Sequence, residues 1–151
     1  MIEVKVQRDV DQSPEEVFAY WADWTNNPSW QKGMESCTWT SEPPLRVGST
    51  YDQVARFLGR PIVSSFEVVE YEPDRKVRIK TTKSTLPLDI TREVVPRTDG
   101  GTTLSAIIRG EPKALMRLFE GPARRMVERN INADYDRLKA MFDTTAGDPR
   151  G

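Results

Sequence analysis

PKALMRLFEGPARRMVERNINADYDRLKAMFD, residues 112–143, carries the longest periodic pattern in the chain, and the architecture follows from it. Met116, Phe119, Ala123, Val127, Ile131, Tyr135, Leu138 and Phe142 recur at steps of three or four and make one apolar stripe of helical period. A straight helix over the whole stretch would extend roughly 48 Å, longer than the ~38 Å sphere expected for a compact chain of this size. Gly121-Pro122 stands where a break is needed, because proline removes a helical donor and clashes with the preceding turn. The spacing therefore predicts a kink there, with about 33 Å of straight helix after it. A helix with one apolar stripe must lay that stripe on something.

What precedes it is a run of strands. Residues 34–41, 49–58, 62–71, 76–82, 86–95 and 102–110 read as strands, separated by Pro43-Pro44, Gly59-Arg60-Pro61, Glu72-Pro73-Asp74, Lys83-Ser84 and Asp99-Gly100-Gly101. Connections that short join antiparallel neighbours, since a parallel crossover needs a dozen or more residues. Residues 2–10 alternate, with Ile2, Val4 and Val6 on one face and Glu3, Lys5 and Gln7 on the other, so a further half-buried strand opens the chain. Ser13-Pro14-Glu15-Glu16 then starts a short helix: Ser13 caps, Pro14 fits the first position and Glu16 completes a capping box. Asn26-Asn27-Pro28 favours a turn or a second brief helix. The whole reads as one α+β domain, residues 1–143, with a polar, flexible tail at 144–151.

The order strand, two short helices, six strands, long helix carries a resemblance. With Ser13-Pro14-Glu15-Glu16-Val17-Phe18, Asp23 through Pro28 to Trp30, Val47-Gly48, Val68-Val69-Glu70-Tyr71-Glu72-Pro73 and Asn130-Ile131 through Leu138-Lys139, the chain resembles the START-like or SRPBCC superfamily, polyketide cyclase/dehydrase-type branch. The resemblance covers nearly the whole chain. It implies a helix-grip fold: a curved antiparallel sheet of about seven strands around a long kinked C-terminal helix, with a mostly apolar cavity between them. Across the superfamily such cavities hold lipids, sterols, hormones and polyketide intermediates, so fold analogy locates a site without naming a substrate.

Composition narrows the chemistry. The 151 residues include 22 basic and 23 acidic ones, a net charge of −1, which offers no general attraction to nucleic acid. There is no histidine and a single cysteine, Cys37, so Cys/His zinc sites, Ser-His-Asp triads and intrachain disulfides are excluded together. No stretch approaches the ~18 apolar residues of a membrane span, and the N-terminus lacks an apolar signal core, so a cytoplasmic protein is expected.

Alternation points Tyr51, Gln53, Ala55, Phe57, Ser64, Phe66, Val68, Val77, Ile79, Thr81, Leu88, Ile90, Arg92 and Val94 inward. Among them Gln53, Ser64, Thr81 and Arg92 are polar, and a buried polar group without a partner costs roughly 1–3 kcal/mol. Four on one face mark a wet pocket or open strand ends. Arg92, always charged, either meets an anionic or carbonyl-bearing ligand group, or sits near a strand end or on a carboxylate such as Asp52 or Glu67. Phe66 and Ile90, with Met116, Phe119 and Ala123 beside the break, complete the candidate ligand-binding set. Trp21 and Trp30 read as core of the short helices, and Arg124, Arg125 and Arg129 as a solvated helix face. No pair of titratable groups is brought together, so no catalytic residue is assigned.

The function expected is binding of a small hydrophobic molecule between sheet and helix, with no metal and no cofactor, no nucleic acid and no membrane span. One alternative is a polyketide aromatase/cyclase or dehydratase that aligns its substrate in the same cavity. Another is a protein-interaction module, and a homodimer through strand edges is compatible with the sheet.

Overall fold

The computed structural model describes residues 2–57, 59–111 and 121–147. Seven strands form one antiparallel sheet: β1 (Ile2–Val10), β2 (Met34–Trp39), β3 (Thr50–Phe57), β4 (Arg60–Glu72), β5 (Lys76–Lys83), β6 (Leu88–Pro96) and β7 (Thr102–Gly110). Their spatial order is β1-β7-β6-β5-β4-β3-β2, so β2 through β7 are a meander and the first strand returns to pair with the last. The sheet curls into a half-barrel, and the helix-grip architecture implied by the sequence is the one present.

Between β1 and β2 lie α1 (Pro14–Trp21) and a 3-10 helix (Trp24–Ser29). Ser13 Oγ accepts from Glu16 N–H at 3.4 Å, and Pro14 occupies the first turn, where its missing N–H costs nothing. Val17, Phe18 and Trp21 form the buried side of α1. Asp23 caps the 3-10 helix through Oδ1, which accepts from Thr25 N–H (3.1 Å) and Thr25 Oγ1 (2.7 Å).

The long helix, α2, runs Gly121–Gly147, 27 residues, about 40 Å at the usual rise. It passes the end at residue 143 that the apolar stripe predicts. Pro122 falls in its first turn; the residues just before Gly121, on the other side of the predicted kink, lie outside those described, as do Met116 and Phe119. Tyr135, Leu138 and Phe142 are buried and Ile131 is half-buried, as the stripe requires.

Polar ties fix α2 on both flanks. On β1, Arg8 donates to Asp136 Oδ1 (3.1 Å) and Asn132 Oδ1 (3.0 Å), while just past the strand Asp11 N–H donates to Asp143 Oδ1 (3.0 Å). On the segment entering β2, Arg137 Nε donates to Trp30 O (3.1 Å) and Lys32 N–H to Asp134 Oδ1 (3.2 Å). The helix is thus held across the hollow of the sheet. At the far end, Gly101 is the only residue type that fits its place: a Cβ there would stand 2.5 Å from Val10 O.

The inward face is the one alternation indicates. Tyr51, Gln53, Ser64, Phe66, Val68, Val77, Ile79, Arg92 and Val94 are all buried. Register shifts between Met34 and Ser36, between Ser65 and Phe66, and between Val68 and Glu70 re-aim the strands without turning that face outward. Asp89 lies on the opposite, convex face, where Arg78 donates to it (2.9 and 2.6 Å) and also to Glu70 (2.8 Å).

Candidate functional site

Aromatic rings fill the hollow of the sheet at its tryptophan end, and a cavity opens at the other. At the closed end Arg92 is buried at 3% exposure with its guanidinium carbon 3.8 Å from the ring centre of Trp24, 5.3 Å from Trp21 and 5.4 Å from Trp30. Its Nη1 donates to Trp21 O (2.7 Å) and Asn27 Oδ1 (3.1 Å). Neither Asp52, which accepts from Ser65 Oγ, nor Glu67 reaches it, and no carboxylate pairs with it among the described residues. The charge is stabilised by ring faces and neutral oxygens instead. Burial lowers the Arg92 pKa. Burial likewise raises Tyr51 and Tyr135, with the Arg92 charge opposing, and lifts Cys37 to about 11 against the pull of Arg92. Three acids that could neutralise the guanidinium therefore stay protonated at neutral pH. Stacked and edge-on rings complete the plug: Tyr51 on Phe66 at 5.0 Å, Trp30 on Tyr135 at 5.0 Å, Trp21 on Tyr135 at 6.2 Å.

At the open end a cavity of about 670 Å³ lies between sheet and α2. Met34, Ala55, Ile62, Leu86 and Leu88 wall it on the sheet side, Val127 and Ile131 on the helix side. Its volume falls within the few hundred to one thousand Å³ typical of small-molecule sites. Lys32, Arg56, Arg129, Arg137 and Asp134 form the charged part of its lining, four cations to one carboxylate among the described residues. Arg56 is paired with Glu35, and Arg137 donates to Asp134 at 2.5 Å. Burial raises the Asp134 pKa, with Lys32 N–H and the Arg137 charge holding it down.

Of the residues assigned to ligand binding from sequence, Gln53, Ser64, Phe66, Thr81, Ile90 and Arg92 are described with their side chains, and none of these six is among those lining this cavity. Gln53 takes a contact from Cys37 Sγ at 3.8 Å, Ser64 Oγ lies 2.7 Å from Ser84 Oγ, and Thr81 Oγ1 accepts from Leu88 N–H at 3.1 Å. Phe66 and Arg92 belong to the plug, and Ile90 packs half-buried against the core. Met116 and Phe119 fall outside the described residues; Ala123 lies in the first turn of α2 and its side chain is likewise undescribed. The lining residues stand one inward step along the same strands: Ala55 beyond Gln53, Ile62 beyond Ser64, Leu88 beyond Ile90. Alternation identifies the face, and the depth along it follows from curvature that sequence does not carry. Asp134 and Arg137 escape notice in the sequence because each sits at a polar position of an amphipathic helix.

A second cavity of about 410 Å³ opens between α1 and the β2–β3 connection, lined by residues including Phe18, Asp23, Trp39, Glu42, Ser49 and Tyr71. It shares no lining residue with the first. Among the described residues no group of three or more acidic or cysteine side chains is placed to hold a metal, and no helix is long and apolar enough to cross a membrane.

Comparison with known proteins agrees with this architecture. The chain is similar to TTHA0849 from Thermus thermophilus (TM-score 0.76, 16% identity, covering 97% of this chain and 100% of that one). It is also similar to a START superfamily protein from Mycobacterium smegmatis (TM-score 0.74, 13% identity, 95% and 98%). The di-domain ARO/CYC StfQ of the steffimycin biosynthetic pathway matches at a TM-score of 0.70 and 16% identity, over 97% of this chain and 52% of that one. A comparison with curated proteins finds no match. Residues 1–143 match the family described as polyketide cyclase / dehydrase and lipid transport, and the chain belongs to that family.

Proposed function

We propose that the chain binds a small, elongated hydrophobic molecule with an acidic end in the cavity between the sheet and α2. The observation that carries this is the make-up of the cavity: apolar side chains from both layers at its walls, and a lining in which cations outnumber carboxylates four to one among the described residues. Burying about 200 Å² of ligand apolar surface would contribute about 5 kcal/mol before the cost of association. The charged lining would set orientation, with Lys32 and Arg129 drawing the acidic end, since Arg56 and Arg137 already have carboxylate partners. The family description and the START-like fold support the same reading at the level of a hydrophobic ligand.

The test is displacement of a hydrophobic fluorescent dye by laurate and by methyl laurate, in the native protein and in Ile131→Trp, which adds bulk to the cavity wall. Saturable displacement, stronger for the acid than the ester, and at least tenfold weaker in a folded Ile131→Trp protein, is expected. Equal displacement by acid and ester removes the electrostatic half of the proposal. Unchanged binding in Ile131→Trp removes the cavity itself. A cyclase would hold a polyketide chain against the same walls, with Asp134, raised by burial, as the proton-carrying group; a cyclised or dehydrated product in mass spectra would shift the conclusion to that reading.

A further inference from the structure

The smaller cavity has the opposite chemistry. Three aromatic residues, Phe18, Trp39 and Tyr71, border it, with Phe18 and Tyr71 rings 6.0 Å apart. Two carboxylates, Asp23 and Glu42, line it, and no lysine or arginine does among the described residues. Neither carboxylate takes part in an ion pair among the described residues, although this chain pairs most of its acidic groups on the sheet surface.

Asp23 is built into the wall. Its Oδ1 already accepts from Thr25 N–H, Thr25 Oγ1 and Trp39 Nε1 (3.0 Å), which fixes the carboxylate and the indole beside it in one unit. Oδ2 accepts nothing among the described residues, so one full acceptor remains unused next to aromatic surface. Solvation alone would serve such a group on an open face. Here it borders a recess of about 410 Å³ whose floor includes the buried Phe18 and Ser49.

Aromatic faces attract a cation through the ring quadrupole, and an unpaired carboxylate supplies the net charge. An apolar recess with both is complementary to an organic ammonium carrying its own apolar substituents, and poorly suited to a bare metal ion, which needs several oxygen ligands. We propose that this cavity is a second binding site, selective for organic ammonium ions, with Asp23 as the charge partner and Trp39 and Tyr71 as the π walls. The site is separate from the helix-facing cavity and stands or falls independently of what that cavity holds.

Choline and benzyltrimethylammonium are the probes, with 3,3-dimethylbutan-1-ol as the neutral isostere of choline, followed by intrinsic tryptophan fluorescence and calorimetry. Expected are saturable binding of the cations, at least fivefold weaker binding of the neutral isostere, and a further weakening with added salt. Asp23→Asn keeps an oxygen to cap the 3-10 helix and meet Trp39 Nε1 while removing the charge. It should lower cation affinity at least fivefold; Glu42→Gln, at an exposed position, should lower it less and leave folding untouched. Equal binding of cation and isostere overturns the proposal. So does absence of any saturable signal at millimolar probe, or full retention of affinity in Asp23→Asn. Laurate displacement in the larger cavity should be the same in Asp23→Asn as in the native protein.

Discussion

Replacing Arg92 tests whether the guanidinium is scaffold or ligand group. Arg92→Ala would leave an unfilled space between three indole rings and strip donors from Trp21 O and Asn27 Oδ1. Large-to-small changes in a core cost roughly 2–5 kcal/mol, and each buried acceptor left unpaired roughly 1–3 kcal/mol. Against this stands relief from burying an unpaired charge, worth several kcal/mol. The net expected for Arg92→Ala is a loss of roughly 3–5 kcal/mol. Arg92→Met leaves the same two acceptors unpaired, which the same relief largely offsets, but keeps most of the volume and so avoids the cavity cost; its loss should stay under about 1.5 kcal/mol. With a urea slope of about 2 kcal/mol per molar for a domain of this size, the two unfolding midpoints should differ by about 1 M or more. Two outcomes would rule out a scaffold role for Arg92 of this kind. If Arg92→Ala unfolds with the native midpoint, the cage packs nothing of consequence. If Arg92→Met is as unstable as Arg92→Ala, the charge itself is indispensable and ring faces alone do not account for it. Laurate binding should survive in the folded Arg92→Met protein; its disappearance would return Arg92 to the ligand site.

Cys37, with its pKa pushed from 9.0 to about 11 by burial, should carry roughly a hundredfold less thiolate at pH 8 than an ordinary cysteine, and its labelling by a disulfide reagent should be slower at least in proportion, becoming fast only when urea unfolds the chain. Prompt labelling of the native protein would contradict its placement beneath the plug. Glu70 accepts from Lys76 (2.8 Å) and Arg78 (2.8 Å), and those bonds hold its pKa below the ordinary 4.5. A depressed carboxylate stabilises the fold above its unfolded pKa and loses that contribution as pH falls through the folded value, so Glu70→Gln should shallow the fall in melting temperature below pH 4.5 and not above it. An unchanged acid limb would show that the network is fully screened.

Much of this is legible in the sequence, and the part that is not has one physical source. A period of two says which side of a strand faces the core, and Gln53, Ser64 and Arg92 do face it. It does not say how far along the strand the sheet's curl brings the opposite layer down. Arg92 illustrates the gap: its partners Trp21, Trp24, Trp30 and Asn27 lie more than sixty positions away in sequence, and nothing in the Ile90-Thr91-Arg92-Glu93-Val94 stretch signals indole faces instead of a carboxylate. Trp21 and Trp30 are readable as core because large apolar surface in short helices has few other destinations. The helix stripe is readable for the same reason, whereas Asp134 and Arg137, on the polar side of that stripe, acquire meaning only once the segment entering β2 is laid beside them.

The plug also explains how one small domain can carry two cavities of opposite character. Along β2, Met34 lines the larger cavity and Trp39 the smaller; along β3, Ala55 lines the larger, and Ser49 just before the strand lines the smaller. Between them stand Cys37, Gln53 and Tyr51, all buried, with Cys37 and Tyr51 within reach of the Arg92 charge and Gln53 against Cys37. In a low-dielectric interior a fixed cation at that midpoint would attract an acidic ligand from either side, but the three indoles around Arg92 separate it from both cavities and its Nη1 is held by two oxygen acceptors, although its Nε has no partner among the described residues. Each cavity is then governed by its own lining: cations about the larger, carboxylates about the smaller. Neutralising the midpoint in Arg92→Met should consequently leave the preference of each site for its ligand's charge unaltered, whereas Asp23→Asn should alter it in the smaller cavity alone.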